Sequence, residues 1–168
     1  TLVQRQIDGG VAGIVPVGCT GEAAVLSRAE REWLVRRAVE MCAGNCAVVA
    51  GSGSNSTTIT VQQTRDVKQW GADAAMLISP YYNKPQQQGL VAHYREVARS
   101  VDIPLVLYNV PGRTAVDMLP ETVARLAQVP NIVGVKEATG DLSRITAIRA
   151  LVGGDFAIYS GDDATARE

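Results

Sequence analysis

The sequence predicts an α/β fold built on a parallel sheet, and the prediction rests on the rhythm of its apolar runs, the helical segments between them and the residues that follow each run. Six short apolar runs recur: Gly13–Val17, Ala47–Ala50, Ala74–Ser79, Leu105–Val110, Ile132–Lys136 and Phe156–Ser160. Continuous apolar runs of this length are expected of strands covered on both faces. Ser27 and Glu30 form a capping-box pattern that opens a helix running to about Met41. A second helix is expected from Thr57 to about Trp70, stopped by Gly71 in a left-handed cap. A third spans about Gln87 to Val101, with Leu90, Tyr94, Val97 and Ala98 at helical spacing. Pro120 stands at the first turn of a fourth, and Asp141 or Ser143 caps a fifth that ends near Gly153 and Gly154. Residues 1–7 read as the tail of a further helix. Each interval between runs leaves room for a crossover helix, which implies parallel strands with right-handed connections.

An open doubly wound sheet and a barrel both satisfy this pattern. The 168 residues fall short of the roughly 250 typical of a (β/α)8 barrel, although a core of this size needs no staple. Nothing suggests a linker, a repeat or a low-complexity segment, so residues 1–168 read as one domain or part of one. The first residue is Thr1 and the last, Glu168, follows the opening of a helix, so both ends are expected to be cut.

Composition narrows the function. Sixteen Lys and Arg oppose seventeen Asp and Glu without a basic run, which leaves no electrostatic footprint for nucleic acid or an anionic membrane. No apolar run approaches the ~18 residues of a spanning helix. A single histidine, His93, gives a metal site or a catalytic triad at most one imidazole, and helix packing is its expected role. Three cysteines, Cys19, Cys42 and Cys46, lack C-x-x-C spacing and fit a reducing, cytoplasmic compartment.

In either architecture, ligands meet the loops beyond the carboxyl ends of the strands. Those positions hold Gly18-Cys19-Thr20-Gly21-Glu22, Gly51-Ser52-Gly53, Tyr81-Tyr82-Asn83, Tyr108-Asn109, Lys136-Glu137 and Gly161-Asp162-Asp163. Lys136 interrupts an apolar run, where an ammonium loses hydration; a desolvated amine suits imine chemistry, while a strand-end lysine can also snorkel to solvent. Tyr81, Tyr82 and Tyr108 fall at or beyond strand ends and can relay protons or simply cap the core. Arg113 is expected in a turn, where it grips a carboxylate or stays solvated. The turn Gly18–Gly21 offers backbone N–H groups for a carboxylate or oxyanion. Gly51-Ser52-Gly53-Ser54-Asn55 matches neither a Walker loop nor a dinucleotide fingerprint, and Asp162 with Asp163 opposes phosphate binding.

Taken in order, GCTGE, AGSGSN, PYYNKP, LYNVPGRT, GVKEATGD and SGDD resemble the dihydrodipicolinate synthase family, among the pyruvate-dependent class I aldolases that include N-acetylneuraminate lyase. The resemblance covers essentially the whole chain. It implies an incomplete (β/α)8 barrel holding strands two to seven, with strand one and strand eight absent, and a homotetramer of two tight dimers. By matching motifs, Lys136 forms the imine with pyruvate and Tyr108 is the acid/base beside it. Thr20 orients the pyruvate carboxylate and links to Tyr108, while Tyr82 enters a neighbouring subunit's site. Arg113 binds the carboxylate of L-aspartate 4-semialdehyde. No metal or organic cofactor is implied, because the imine nitrogen is the electron sink.

Two features depart from the family pattern. Cys19 stands where a threonine hydroxyl usually joins the tyrosines, and a thiol is the weaker hydrogen-bonding group. At the effector site for lysine, Asn55 and Tyr81 agree, but Arg28, Arg31 and Ile59 replace histidines and a glutamate, so weak inhibition by lysine is expected. Sibling lyases acting on a sialic acid or a 2-keto-3-deoxy sugar acid, and a non-catalytic barrel, are the alternative readings. A sheet of six strands with two open edges is also expected to be aggregation-prone and poorly active alone.

Overall fold

A computed structural model describes residues 1–167. The chain begins with α1 (Leu2–Asp8) and then alternates: β1 (Gly13–Ile14), α2 (Arg28–Cys42), β2 (Ala47–Gly51), α3 (Thr57–Gln69), β3 (Ala74–Ile78), α4 (Gln87–Ser100), β4 (Leu105–Asn109). It continues with α5 (Pro111–Thr114), α6 (Pro120–Leu126), β5 (Ile132–Glu137), α7 (Leu142–Leu151) and β6 (Ala157–Ser160). All strand pairs are parallel, and their order in the sheet is their order in the chain. A doubly wound sheet reverses its order at a switch point; this one does not. The helices pack on their sequence neighbours, α2 on α3, α3 on α4, α4 on α6 and α6 on α7, which places them together along one face.

Local chemistry explains most boundaries. Glu30 accepts the Ser27 N–H at 2.8 Å while the Ser27 hydroxyl accepts the Glu30 N–H at 3.3 Å, the reciprocal cap expected for α2. Gly71 follows α3 at φ 95°, Pro120 opens α6, and Asp141, rather than Ser143, caps α7. Two expectations are corrected. The first strand stops at Ile14, well short of Val17: Pro16 accepts from the Gly51 N–H but has none to donate, and Val17 turns to φ 50°. It and β6 are also not covered on both faces: Gly13 in β1 and Tyr159 and Ser160 in β6 are exposed, and each of these outermost strands leaves one edge unpaired as well.

Alternation along the strands separates two apolar layers. Leu77, Leu105, Leu107 and Val135 pack with Val35, Val67, Leu90, Val97 and Leu126 beneath the helices. Met76, Ile78, Val106, Tyr108 and Val110 cluster on the other, inner face with Val49 and Ala138. In register, Ile78, Tyr108, Lys136 and Tyr159 form one row across β3 to β6. Residue parity therefore puts Lys136 on the inner face and its neighbour Glu137 on the helix side.

Glu137 is buried there and enters a polar network. The Asn109 amide donates to its two oxygens at 3.3 and 3.1 Å, and the Thr139 N–H donates at 2.9 Å. The Asn109 side-chain Oδ1 accepts the Met118 N–H, its Nδ2 donates to Asp117, and Arg144 closes on Asp117 at 2.6 Å. His93, on α4, is buried as a packing residue: its Nδ1 lies 2.9 Å from the Thr57 hydroxyl and its Nε2 has no partner.

Substituting Glu137→Ala strands the Asn109 amide and the Thr139 N–H, and is expected to cost about 3 kcal/mol in urea denaturation. A loss no larger than that of a surface substitution would contradict the network. Burial lowers the His93 pKa to about 4, against an ordinary value of 6.5. Between those values the unfolded chain binds the extra proton, so stability is fully present above 6.5 and is lost as pH falls toward 4. The loss amounts to about 3 kcal/mol, and His93→Gln should remove that part of the slope in denaturation series at stepped pH.

Candidate active site

The carboxyl ends of β1 to β4 open on a cavity of about 400 Å³, lined in part by Cys19, Arg31, Ser52, Tyr81, Tyr108 and Arg113. Glycine makes its floor possible. A Cβ on Gly51 would lie 2.2 Å from the Val17 carbonyl oxygen, and one on Gly53 would meet the Ile78 backbone at 2.4 Å. The backbone can pass there only without a side chain.

Lys136 is not on the cavity lining. Its Nζ lies 4.5 Å from the centre of the Tyr108 ring, on the inner face, so the aromatic ring stands beside both the cavity and the amine. The aliphatic part of Lys136 runs against Gly161 of the next loop. A Cβ on Gly161 would come within 3.0 Å of Lys136 Cε and 3.1 Å of its Cγ. The Gly161 N–H donates to the Glu137 carbonyl at 2.7 Å, which keeps that approach close.

Tyr108 is buried, and desolvation pushes its phenol above the ordinary range; the nearby Cys19 sulfur acts in the same direction, and the Arg113 guanidinium opposes them. The phenol is thus a proton donor across the neutral range. Arg113 lies in α5, a single helical turn opened by Pro111, where a turn rather than a helix is expected from the sequence. Pro111 presets the first helical residue, and the Thr114 hydroxyl donates to the Val110 carbonyl.

The remaining expected residues divide. In the Gly18–Gly21 turn, the Glu22 and Ala23 N–H groups bond back to the Cys19 and Gly18 carbonyls, leaving those of Cys19, Thr20 and Gly21 outside the turn's own bonds. Thr20 is exposed, and among the described residues no hydrogen bond joins its hydroxyl to Tyr108. Tyr81 turns toward the cavity, while Tyr82, at φ 71°, is 87% exposed and stands away from it. Asn55 ties the two loops together, its carbonyl accepting the Asn83 amide at 2.8 Å.

At the effector positions the two arginines differ. Arg28 is held by Asp66 at 2.9 and 3.0 Å and lies over Trp70. Arg31 lines the cavity, donates to the Gly51 carbonyl at 3.1 Å and leaves its Nε without a partner. Burial lowers its pKa, opposed by Asp66 and Tyr81. Sequence reasoning missed the fit of Gly161 against the lysine and the position of Tyr159 in the Lys136 row; strand parity could have found the second. Among the described residues, no group of three or more His, Cys, Asp or Glu side chains is placed to hold a metal ion, and no helix is long and apolar enough to cross a membrane.

The profile of the Dihydrodipicolinate synthetase family matches residues 1–168. A 4-hydroxy-tetrahydrodipicolinate synthase from Shewanella piezotolerans is 55% identical over 99% of this chain, and one from Methylococcus capsulatus is 57% identical over 99%. In both cases the chain spans 57% of the relative's length. Among solved structures, the 4-hydroxy-tetrahydrodipicolinate synthase of Methylacidiphilum fumariolicum superposes with a TM-score of 0.96 at 43% identity, over 98% of this chain and 55% of that one. The chloride-inhibited dihydrodipicolinate synthase of Acinetobacter baumannii, complexed with pyruvate, also gives 0.96, at 48% identity over 98% of this chain and 57% of that one. With a match that runs from the first residue to the last and relatives more than half identical, this chain belongs to the dihydrodipicolinate synthetase family.

Proposed function

We propose that the protein to which this chain belongs condenses pyruvate with L-aspartate 4-semialdehyde to 4-hydroxy-tetrahydrodipicolinate, through an imine on Lys136. The observation that carries the reading is the Lys136 amine over the Tyr108 ring on the inner face, with Gly161 leaving room for its stem. Imine formation joins the Lys136 nitrogen to the pyruvate carbonyl carbon and expels water, and the cationic nitrogen then allows a proton to leave the methyl group. The resulting enamine carbon attacks the aldehyde, whose oxygen takes up a proton to become the hydroxyl; the amino group of the aldehyde substrate then adds to the imine carbon and displaces the Lys136 nitrogen, closing the ring. What the protein must add is proton delivery and carboxylate orientation.

Tyr108, kept protonated by burial, supplies the proton for the departing hydroxyl. Thr20 and the free N–H groups of its turn orient the pyruvate carboxylate, and Arg113 at the cavity rim takes that of the aldehyde. The exposure of Tyr82 supports a role in the site of a neighbouring subunit within a homotetramer. No metal or organic cofactor enters this scheme, and three free thiols are compatible with a reducing cytoplasm.

Borohydride reduction in the presence of pyruvate, followed by mass mapping, is expected to place one adduct on Lys136 and none in Lys136→Ala; an unmodified Lys136 would end the aldolase reading. In a protein extended to the length of its relatives, Cys19→Thr should raise turnover and Cys19→Ala should lower it. Equal rates in all three would remove the thiol from the relay. Lysine should inhibit weakly in steady-state assays, because Ile59 offers its amine no carboxylate and Arg31 adds a cation to the cavity. Potent inhibition would overturn that expectation. Activity with a sugar-derived aldehyde alone would favour the sibling lyases.

A further inference from the structure

Away from the cavity, α2 ends on Cys42, and β2 starts one residue after Cys46. The turn of residues 43–45 folds the two cysteines back on each other and brings their sulfurs to 3.1 Å. Both are free thiols, Cys42 at 1% and Cys46 at 8% exposure. The turn above them is exposed and uses two consecutive left-handed residues, Ala43 at φ 45° and Gly44 at φ 78°. Alanine is disfavoured in that conformation, so the turn is held by its ends. Those ends are the Ala43 N–H to the Val39 carbonyl and the Asn45 N–H to the Cys42 carbonyl. The turn lies outside the strand ladder of β2, which begins at Ala47.

We propose that Cys42 and Cys46 form a reversible dithiol–disulfide site, oxidised by a low-molecular-weight disulfide of the glutathione class. Two exchanges balance the reaction. The Cys46 thiolate, the more exposed of the two, attacks one sulfur of glutathione disulfide; the sulfur–sulfur bond breaks, and the expelled glutathione takes up the proton that Cys46 released. The Cys42 thiolate then attacks the Cys46 sulfur of the mixed disulfide and expels the second glutathione. Two cysteine thiols are oxidised and one glutathione disulfide is reduced to two thiols.

Burial and the neighbouring Cys46 push the Cys42 thiol up to about 11, so the first attack belongs to Cys46 and the overall exchange is slow. The second step is favoured by proximity, because the resolving sulfur is already in contact. Oxidation would fasten the end of α2 to the start of β2, at the end of the strand opposite Gly51 and the cavity.

The test is incubation of the protein in graded ratios of oxidised to reduced glutathione, quenching with N-ethylmaleimide, and peptide mapping. The expected product is a disulfide inside the segment carrying both cysteines, lighter by two hydrogens, with no glutathione kept on either. Cys42→Ser should instead leave Cys46 carrying one stable glutathione. Glutathione retained on Cys46 of the unaltered protein would overturn the proposal. So would two thiols still open to alkylation at ratios that oxidise the same pair in urea. If Cys42→Ser does not fold, the map of the unaltered protein still decides.

Discussion

A neutral amide facing a buried carboxylate governs the geometry of the sheet's mouth. Asn109 and Glu137 are register partners at the ends of β4 and β5, and their side chains meet on the helix side. The residues immediately before them, Tyr108 and Lys136, are register partners too, and their side chains meet on the inner face. Two adjacent peptide units therefore carry both the bond that holds the strand ends and the pair to which the proposed chemistry is assigned. A slip of one strand would break the first and separate the second. The carboxylate is tolerable in this position because three N–H contacts receive it and Arg144 balances the Asp117 charge one step away.

Charge around the cavity follows from which cations are already committed. Arg28 spends its guanidinium on Asp66, whose side chain is 5% exposed, and on the face of Trp70. It is structural. Arg31, one helical turn further along α2, commits one nitrogen to the Gly51 carbonyl and keeps its remaining charge at the cavity wall. Arg113 faces the same space from α5. Two guanidinium groups near a protonated phenol, set against the single carboxylate of Glu22 on the same lining, favour an anionic, carboxylate-bearing guest.

Much of this was legible in the sequence because the signals were local. The Ser27–Glu30 cap, the Gly71 stop, Pro120 and the four central apolar runs each act within a few residues, and each was found where expected. The misjudged features depend on neighbours in space. The first apolar run looked like five residues of strand, but pairing ended when Pro16 could not donate and Val17 turned. Arg113 read as a turn residue because a single helical turn has no periodicity to detect. Tyr81 and Tyr82 are adjacent letters with similar propensities, and a left-handed backbone at Tyr82 sends them apart. Nor could spacing show that Cys42 and Cys46 would touch, since the contact is made by the turn between them.

Gly161 has no side chain, yet it shapes the reach of Lys136 more directly than any residue on β5. The stem of the amine is defined on one flank by an aromatic ring and on the other by a space where a methyl group cannot stand. A flexible four-carbon arm is thereby given a track, and part of its rotamer entropy is surrendered on folding. A side chain at the position after β6 would press first on the Ala138 Cβ, at 2.7 Å, and then on the Lys136 stem, so a change there disturbs packing and displaces a nitrogen carried by a different strand.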